Sequence, residues 1–119
     1  MENKRKLGGK YEALAAEYLS GQGYTVLEKN YRCRIGEIDL IARDGEYLVF
    51  VEVKYRKDTS CGMPEEAVDT RKQRVISRVA DYYCMRQACY DSICCRFDVV
   101  VILGTRIQLI QNAFEYHPR

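Results

Sequence analysis

Three ionisable side chains, Asp39, Glu52 and Lys54, stand inside two strand-like runs that are largely apolar. Residues 47–56 read YLVFVEVKYR, and Glu52 and Lys54 interrupt that run. The run is apolar enough to be buried on both faces. An unpaired buried charge is costly, so such groups are paired or bind metal. Glu52 and Lys54 are two residues apart and share a strand face. Asp39 lies upstream in GEIDLIARDG, an apolar run joined to the first through Asp44-Gly45. Aspartate-glycine between two such runs predicts a tight hairpin.

With the turn centred on Asp44-Gly45, Arg43 faces Glu46, Ile41 faces Leu48, Asp39 faces Phe50 and Glu37 faces Glu52. Asp39 and Glu52 are then diagonal neighbours, with Cβ atoms roughly 7–8 Å apart. Two carboxylates at that separation can converge on one divalent cation. A two- or four-residue loop keeps these faces, whereas a three-residue loop flips one strand. Glu37 falls directly opposite Glu52, which is unfavourable unless a cation or Lys54 compensates. Oxygen ligands suit Mg²⁺ or Mn²⁺, which also bind phosphate oxygens. Such a metal polarises a phosphodiester and lowers the pKa of a bound water. An ammonium beside that water can orient it or stabilise charge developing at phosphorus. The alternative is a surface strand whose Glu37, Glu52 and Lys54 form solvated pairs, and the pattern alone weighs the two about evenly.

Positioning these residues takes a small set of elements. Residues 7–20 carry Leu7, Tyr11, Leu14, Ala15, Tyr18 and Leu19 on one helical face, and Gly21 and Gly23 end the helix. Glu12 sits at the edge of that stripe, where it can reach the hairpin's acidic face or remain a solvated flanking charge. Residues 24–31 read as a strand before the hairpin. Residues 57–63 read as a mobile loop. Pro64 suits the first turn of a second helix, with Glu65 and Glu66 near its N-terminus, running to about Tyr83. Val68, Val75, Ile76, Val79, Ala80 and Tyr83 form its core stripe. Arg71, Lys72, Arg74 and Arg78 lie off it, as a solvated face unless a metal site is near. Residues 96–103 are a near-continuous apolar strand, central in the sheet. Within it Asp98 calls for a structural partner such as an arginine. Residues 106–110 form a last strand, and 111–119 trail off.

The order helix, three strands, helix, two strands predicts an α/β sandwich, αβββαββ, with a mixed sheet flanked by two helices. At 119 residues the chain reads as one domain, 1–119, with residues 1–6 a basic tail. The net charge of +2 is too small to argue for a nucleic-acid partner without local clustering. The basic start has no apolar segment after it, and no run is long enough to span a membrane. A cytoplasmic protein with no membrane partner is therefore expected. Its six cysteines (Cys33, Cys61, Cys84, Cys89, Cys94, Cys95) then read as reduced thiols. The spacing of the last four does not match the usual zinc ligand pairs.

Taken together, these residues are familiar. Asp39…Glu52-Val53-Lys54, in this order of elements, resembles the PD-(D/E)xK nuclease superfamily with its restriction-endonuclease-like fold. More narrowly, GEIDLIARDG, FVEVKYR, PEEAV, RFDVV and NAF resemble the YraN family of small bacterial proteins without assigned function, which is often compared with Holliday junction resolvases. The resemblance covers about residues 8–114. It implies a Mg²⁺- or Mn²⁺-dependent endonuclease acting on DNA, branched or damaged. Glu12, Asp39 and Glu52 would hold metal, and Lys54 would orient the attacking water. Lys57, Arg71, Lys72 and Arg78 would contact phosphates. A homodimer is implied by analogy with resolvases. Ile38 departs from the superfamily's frequent proline, and Tyr11 from the glycine of many relatives. The alternative is a non-catalytic nucleic-acid-binding or adaptor protein that retains the fold.

Overall fold

The computed structural model describes residues 4–57, 68–87 and 94–119. Along the chain run α1 (Lys4–Gly21), β1 (Thr25–Arg32), β2 (Glu37–Asp44), β3 (Tyr47–Arg56), α2 (Thr70–Arg86), β4 (Cys94–Leu103) and β5 (Arg106–Ile110). The strands form one sheet in the order β1-β2-β3-β4-β5. β3 and β4 are parallel, and the other neighbours are antiparallel. A parallel pair needs a crossover, and α2 supplies it. This is the expected α/β sandwich with a mixed sheet, consistent with a restriction-endonuclease-like architecture.

Each helix covers one face of the sheet. Ala15, Ala16 and Leu19 of α1 cluster with Leu40, Val49, Val51 and Val100. Ile76, Val79, Ala80 and Tyr83 of α2 cluster with Ile41, Phe50, Phe97 and Val101. β3 and β4 are thus buried on both sides, which is why their sequences do not alternate. Gly36 lets the chain pass close against α2 as β2 begins. A Cβ there would stand 2.7 Å from Val75 Cγ1.

Three boundaries differ from expectation. α1 begins at Lys4, so residues 4–6 continue the helix backward instead of forming a tail. The described part of α2 begins at Thr70, with Asp69 as its N-cap. Asp69 is extended (φ −76°, ψ 170°), and its carboxylate accepts the Lys72 N–H at 2.8 Å. That bond satisfies an orphan helix donor and fixes where the helix starts. Pro64, Glu65, Glu66, Cys61, Cys89 and loop residues 58–63 lie outside the described residues. Lys57 is described and exposed.

The third difference is the C-terminal segment, which is anchored. The Ala113 N–H donates to the Phe97 carbonyl at 2.7 Å, and Phe114 stacks on Phe97 at 5.0 Å between ring centroids. The His117 N–H donates to Ser77 Oγ at 3.1 Å, and Arg78 donates to the His117 carbonyl. Backbone groups of this segment find partners on α2 and β4, so it packs across both.

Asp98 is buried and fully partnered. Arg96 donates to both of its oxygens at 2.9 Å, the Tyr24 hydroxyl donates to Oδ2 at 2.7 Å, and the Asn112 N–H donates to Oδ1 at 2.9 Å. Arg96 also reaches Asp44 at 2.8 Å. The expected arginine partner is present. Among the described residues no helix is long and apolar enough to cross a membrane.

Removing one partner of a buried charge pair strands the other. Asp98→Ala is therefore expected to lower unfolding free energy by roughly 3–5 kcal/mol. Urea denaturation checks this, and a loss under about 1 kcal/mol, typical of an exposed pair, would contradict it.

Candidate active site

The site forms where β2 leaves β3. The two strands pair from Asp44↔Tyr47 to Leu40↔Val51, so the loop is Gly45-Glu46. Gly45 has φ 60°, the left-handed conformation that a glycine at the first position of a tight hairpin loop adopts. The register differs from the expected one: Arg43 faces Leu48 and Ile41 faces Phe50. The shift is an even number of residues, so the faces are kept. Continuing the register by one residue puts Asp39, not Glu37, opposite Glu52.

Beyond Val51 the ladder to β2 ends, while β3 stays paired with β4 as far as Arg56↔Leu103. Asp39 Oδ2 accepts the Val53 N–H at 2.9 Å. A side-chain carboxylate thus satisfies a backbone donor where the ladder stops. The β1–β2 register skips the Asn30–Asp39 position, between Lys29↔Leu40 and Tyr31↔Ile38, and Asn30 has φ 53°. The parted strands leave a cleft of about 300 Å³ lined by Glu12, Asp39, Glu52, Lys54 and Lys72. Tyr11 and Tyr55 also line it, stacked with ring centroids 4.2 Å apart.

Three carboxyl groups from three elements meet here. The Asp39 carboxyl lies beside both Glu12 and Glu52. Burial pushes Glu52 up to about 9, and the neighbouring Asp39 adds to the rise, while Lys72 and Lys54 oppose it. Burial also raises Glu12, to about 7, again helped by Asp39, while a hydrogen bond from Asn30 works the other way. Carboxyls crowded like this hold protons unless a cation replaces them. Glu52 Oε2 is buried with no hydrogen-bond partner, and Lys72 Nζ stands 3.8 Å away.

The structure brings Glu12, Asp39, Glu52 and Lys54 of the expected site into one cleft, together with Lys72. Lys57 and Arg71 are exposed and do not line it. Arg78 does not line it either. It pairs with Asp81 at 3.5 Å and lies over the Tyr116 ring at 5.4 Å. Glu37 pairs with Arg32 at 2.9 Å, and this neighbour on β1 compensates it instead of Lys54. Sequence reasoning missed Asn30 as a partner of Glu12 and Lys72 as a partner of Glu52. An asparagine breaking a strand-like run was the one signal for Asn30, since asparagine tolerates the left-handed region.

The donor set suits a hard divalent cation: three carboxylates, one oxygen of them buried and unsatisfied. As they stand, no three acidic, His or Cys side chains among the described residues are arranged around a common metal position.

The raised pKa values set a pH dependence. In the unfolded chain Glu52 ionises near 4.5, and in the folded one near 9. Between those values the folded state binds more protons, so stability falls as pH rises. In a chelator, wild type is expected to lose thermal stability steadily from about pH 5 to 9, while Glu52→Gln flattens the decline. Melting curves across that range test it, and equal slopes in both proteins would contradict it.

The profile described as "Uncharacterised protein family UPF0102" matches residues 11–102. A "UPF0102 protein" of Lachnoclostridium phytofermentans is 54% identical over 113 residues, covering 95% of this chain and 96% of its own. One from Syntrophus aciditrophicus is 50% identical, covering 92% and 87%. Another, from Caldicellulosiruptor saccharolyticus, is 45% identical, covering 94% and 99%. The matched span contains Glu12, Asp39, Glu52, Lys54 and Lys72, and the chain belongs to the uncharacterised UPF0102 (YraN) family.

Proposed function

We propose that this chain is a Mg²⁺- or Mn²⁺-dependent endonuclease that cleaves DNA phosphodiester bonds in the cleft between β2 and β3. The observation that carries this reading is the buried Glu52 Oε2, without a hydrogen-bond partner, beside Asp39, with the Lys54 ammonium on the strand of Glu52. Glu12, Asp39 and Glu52 would hold the metal. Once bound, it supplies Lewis-acid polarisation of a phosphoryl oxygen and an acidified water.

The protein's own groups do the rest. Asp39 is fixed by its bond from the Val53 N–H, so its carboxylate does not need to be ordered when substrate arrives. Lys54 orients the attacking water and stabilises negative charge on the phosphorus oxygens. Lys72 neutralises Glu52 while the site is empty of cation, then turns to the substrate phosphate. Both ammoniums sit in a small cleft with part-buried walls, where a charge interaction is stronger than in open water.

Mn²⁺ titration by calorimetry is expected to show binding to wild type and none to the Asp39→Asn, Glu52→Gln double variant. Lys54→Ala should keep the metal and lose roughly 10²–10³-fold in cleavage of flapped, nicked or four-way DNA. A wild type that leaves every such DNA intact with Mn²⁺, with Lys54→Ala indistinguishable, would refute cleavage. Salt-dependent DNA binding in that same wild type would support the second reading, a non-catalytic nucleic-acid-binding protein. The Glu52–Lys72 pair favours that reading, since it compensates Glu52 without a metal.

The dual role of Lys72 separates two measurements. Lys72→Met is expected to tighten Mn²⁺ binding, because a competing cation is gone. It should also weaken DNA binding and reduce the slope of log affinity against log salt by about 1. Unchanged Mn²⁺ affinity would show that the ammonium does not occupy the metal's place.

A further inference from the structure

We propose that Cys84 and Cys95 form a thiol–disulfide modification site that reacts with low-molecular-weight disulfides of the glutathione class. Their Sγ atoms are 3.9 Å apart. Cys84 lies in the last turn of α2 and Cys95 at the start of β4. Rotation about one Cα–Cβ bond is the kind of motion that closes such a gap to a disulfide of about 2.0 Å. The preceding strand residue, Cys94, points to the opposite face of the sheet.

The two sulfurs differ in the way a two-step exchange needs. Cys95 is exposed, and Cys84 is only 6% exposed. Both border a cavity of about 460 Å³ between α2, β4 and the C-terminal segment, with Asp81 and Phe114 among its other walls. Their exposure separates them: a small disulfide can approach the exposed Cys95, while burial shields Cys84. The Cys84 thiol hydrogen-bonded to Cys95 holds Cys95 below the usual thiol range, which favours its thiolate.

The chemistry balances without another reagent. The Cys95 thiolate attacks one sulfur of glutathione disulfide, forms a mixed disulfide and releases one glutathione thiolate, which takes up a proton. Cys84 then loses its proton and attacks the Cys95 sulfur, forming the Cys84–Cys95 bond and expelling the second glutathione. Two protein thiols are oxidised and one glutathione disulfide is reduced to two thiols. The product ties the end of α2 to β4.

The test uses the full chain, incubated with glutathione disulfide, then alkylated and digested with trypsin. The expected product is peptide 79–86 joined to peptide 87–96, with fragmentation placing the bond between Cys84 and Cys95, and dithiothreitol reversing it. Cys84→Ser should stop the reaction at Cys95 carrying one glutathione. Because a hydroxyl at a buried site can unsettle the fold, Cys95→Ser is the second variant, and there Cys84 should gain neither glutathione nor a partner. Full alkylation of Cys84 and Cys95 in wild type would overturn the proposal. So would a disulfide from Cys84 to Cys89 or Cys94, or glutathionylated Cys84 in Cys95→Ser.

Discussion

A carboxylate in the interior of a sheet must be compensated, and around Glu52 much of the local structure follows from that need. β3 is buried on both faces by two helices, so Glu52 has little access to water. β2 stops pairing with β3 one residue before the position opposite Glu52, and the parted strands open the cleft. Asp39 repairs the interrupted ladder with its own side chain. Counter-charge comes from α2, whose start is set by Asp69. The backbone N–H of Lys72 is held by that cap, and its ammonium reaches Glu52. A single residue thus links the helix N-terminus to the buried acid.

Two buried acids on neighbouring strands show the difference between a satisfied and an unsatisfied carboxylate. Asp98 faces Val51 in the β3–β4 register, and Glu52 faces Val99. Asp98 receives hydrogen bonds on both oxygens from three residues, a guanidinium among them. Its charge is paired and its lone pairs are filled, which is the condition for a buried ion to be tolerated. Glu52 keeps one oxygen without a partner and one distant ammonium. An acid left incomplete in this way gains most from a ligand that completes it.

Much of the fold was legible because β3 and β4 are long apolar runs and the helices carry clear stripes. Asp39, Glu52, Lys54 and Glu12 were legible as candidates because charge in such runs is anomalous. The turn was misread by one step, since Asp44-Gly45 looks like a loop pair whereas glycine takes the first loop position after Asp44. Faces survived that error because side chains alternate with period two. The position of Lys72 was not legible. It depends on where α2 starts, and Pro64 is a stronger local signal than Asp69, whose capping bond forms only in the folded chain. The partners of Arg78, which are Asp81, Tyr116 and the His117 carbonyl, were not legible either, because they come largely from a segment with no helical or strand pattern.

Charge counting supports a phosphodiester in preference to a more highly charged ligand. Glu37 also lines the cleft but is paired with Arg32, so if Glu12, Asp39 and Glu52 are all ionised they oppose the two ammoniums of Lys54 and Lys72 and leave one negative charge. Burial first, and the neighbouring Asp39 after it, raises both Glu12 and Glu52, and the residual negative charge acts in the same direction. A divalent cation would turn it into one positive charge. A phosphodiester carries one negative charge and would bring the filled cleft to neutrality. A phosphomonoester, with nearly two, would leave it negative again in a part-buried space where excess charge is costly. In the proposed reading the same count would give Lys72 a role: without it the metal-loaded cleft would already be neutral, and nothing in it would favour an anionic backbone.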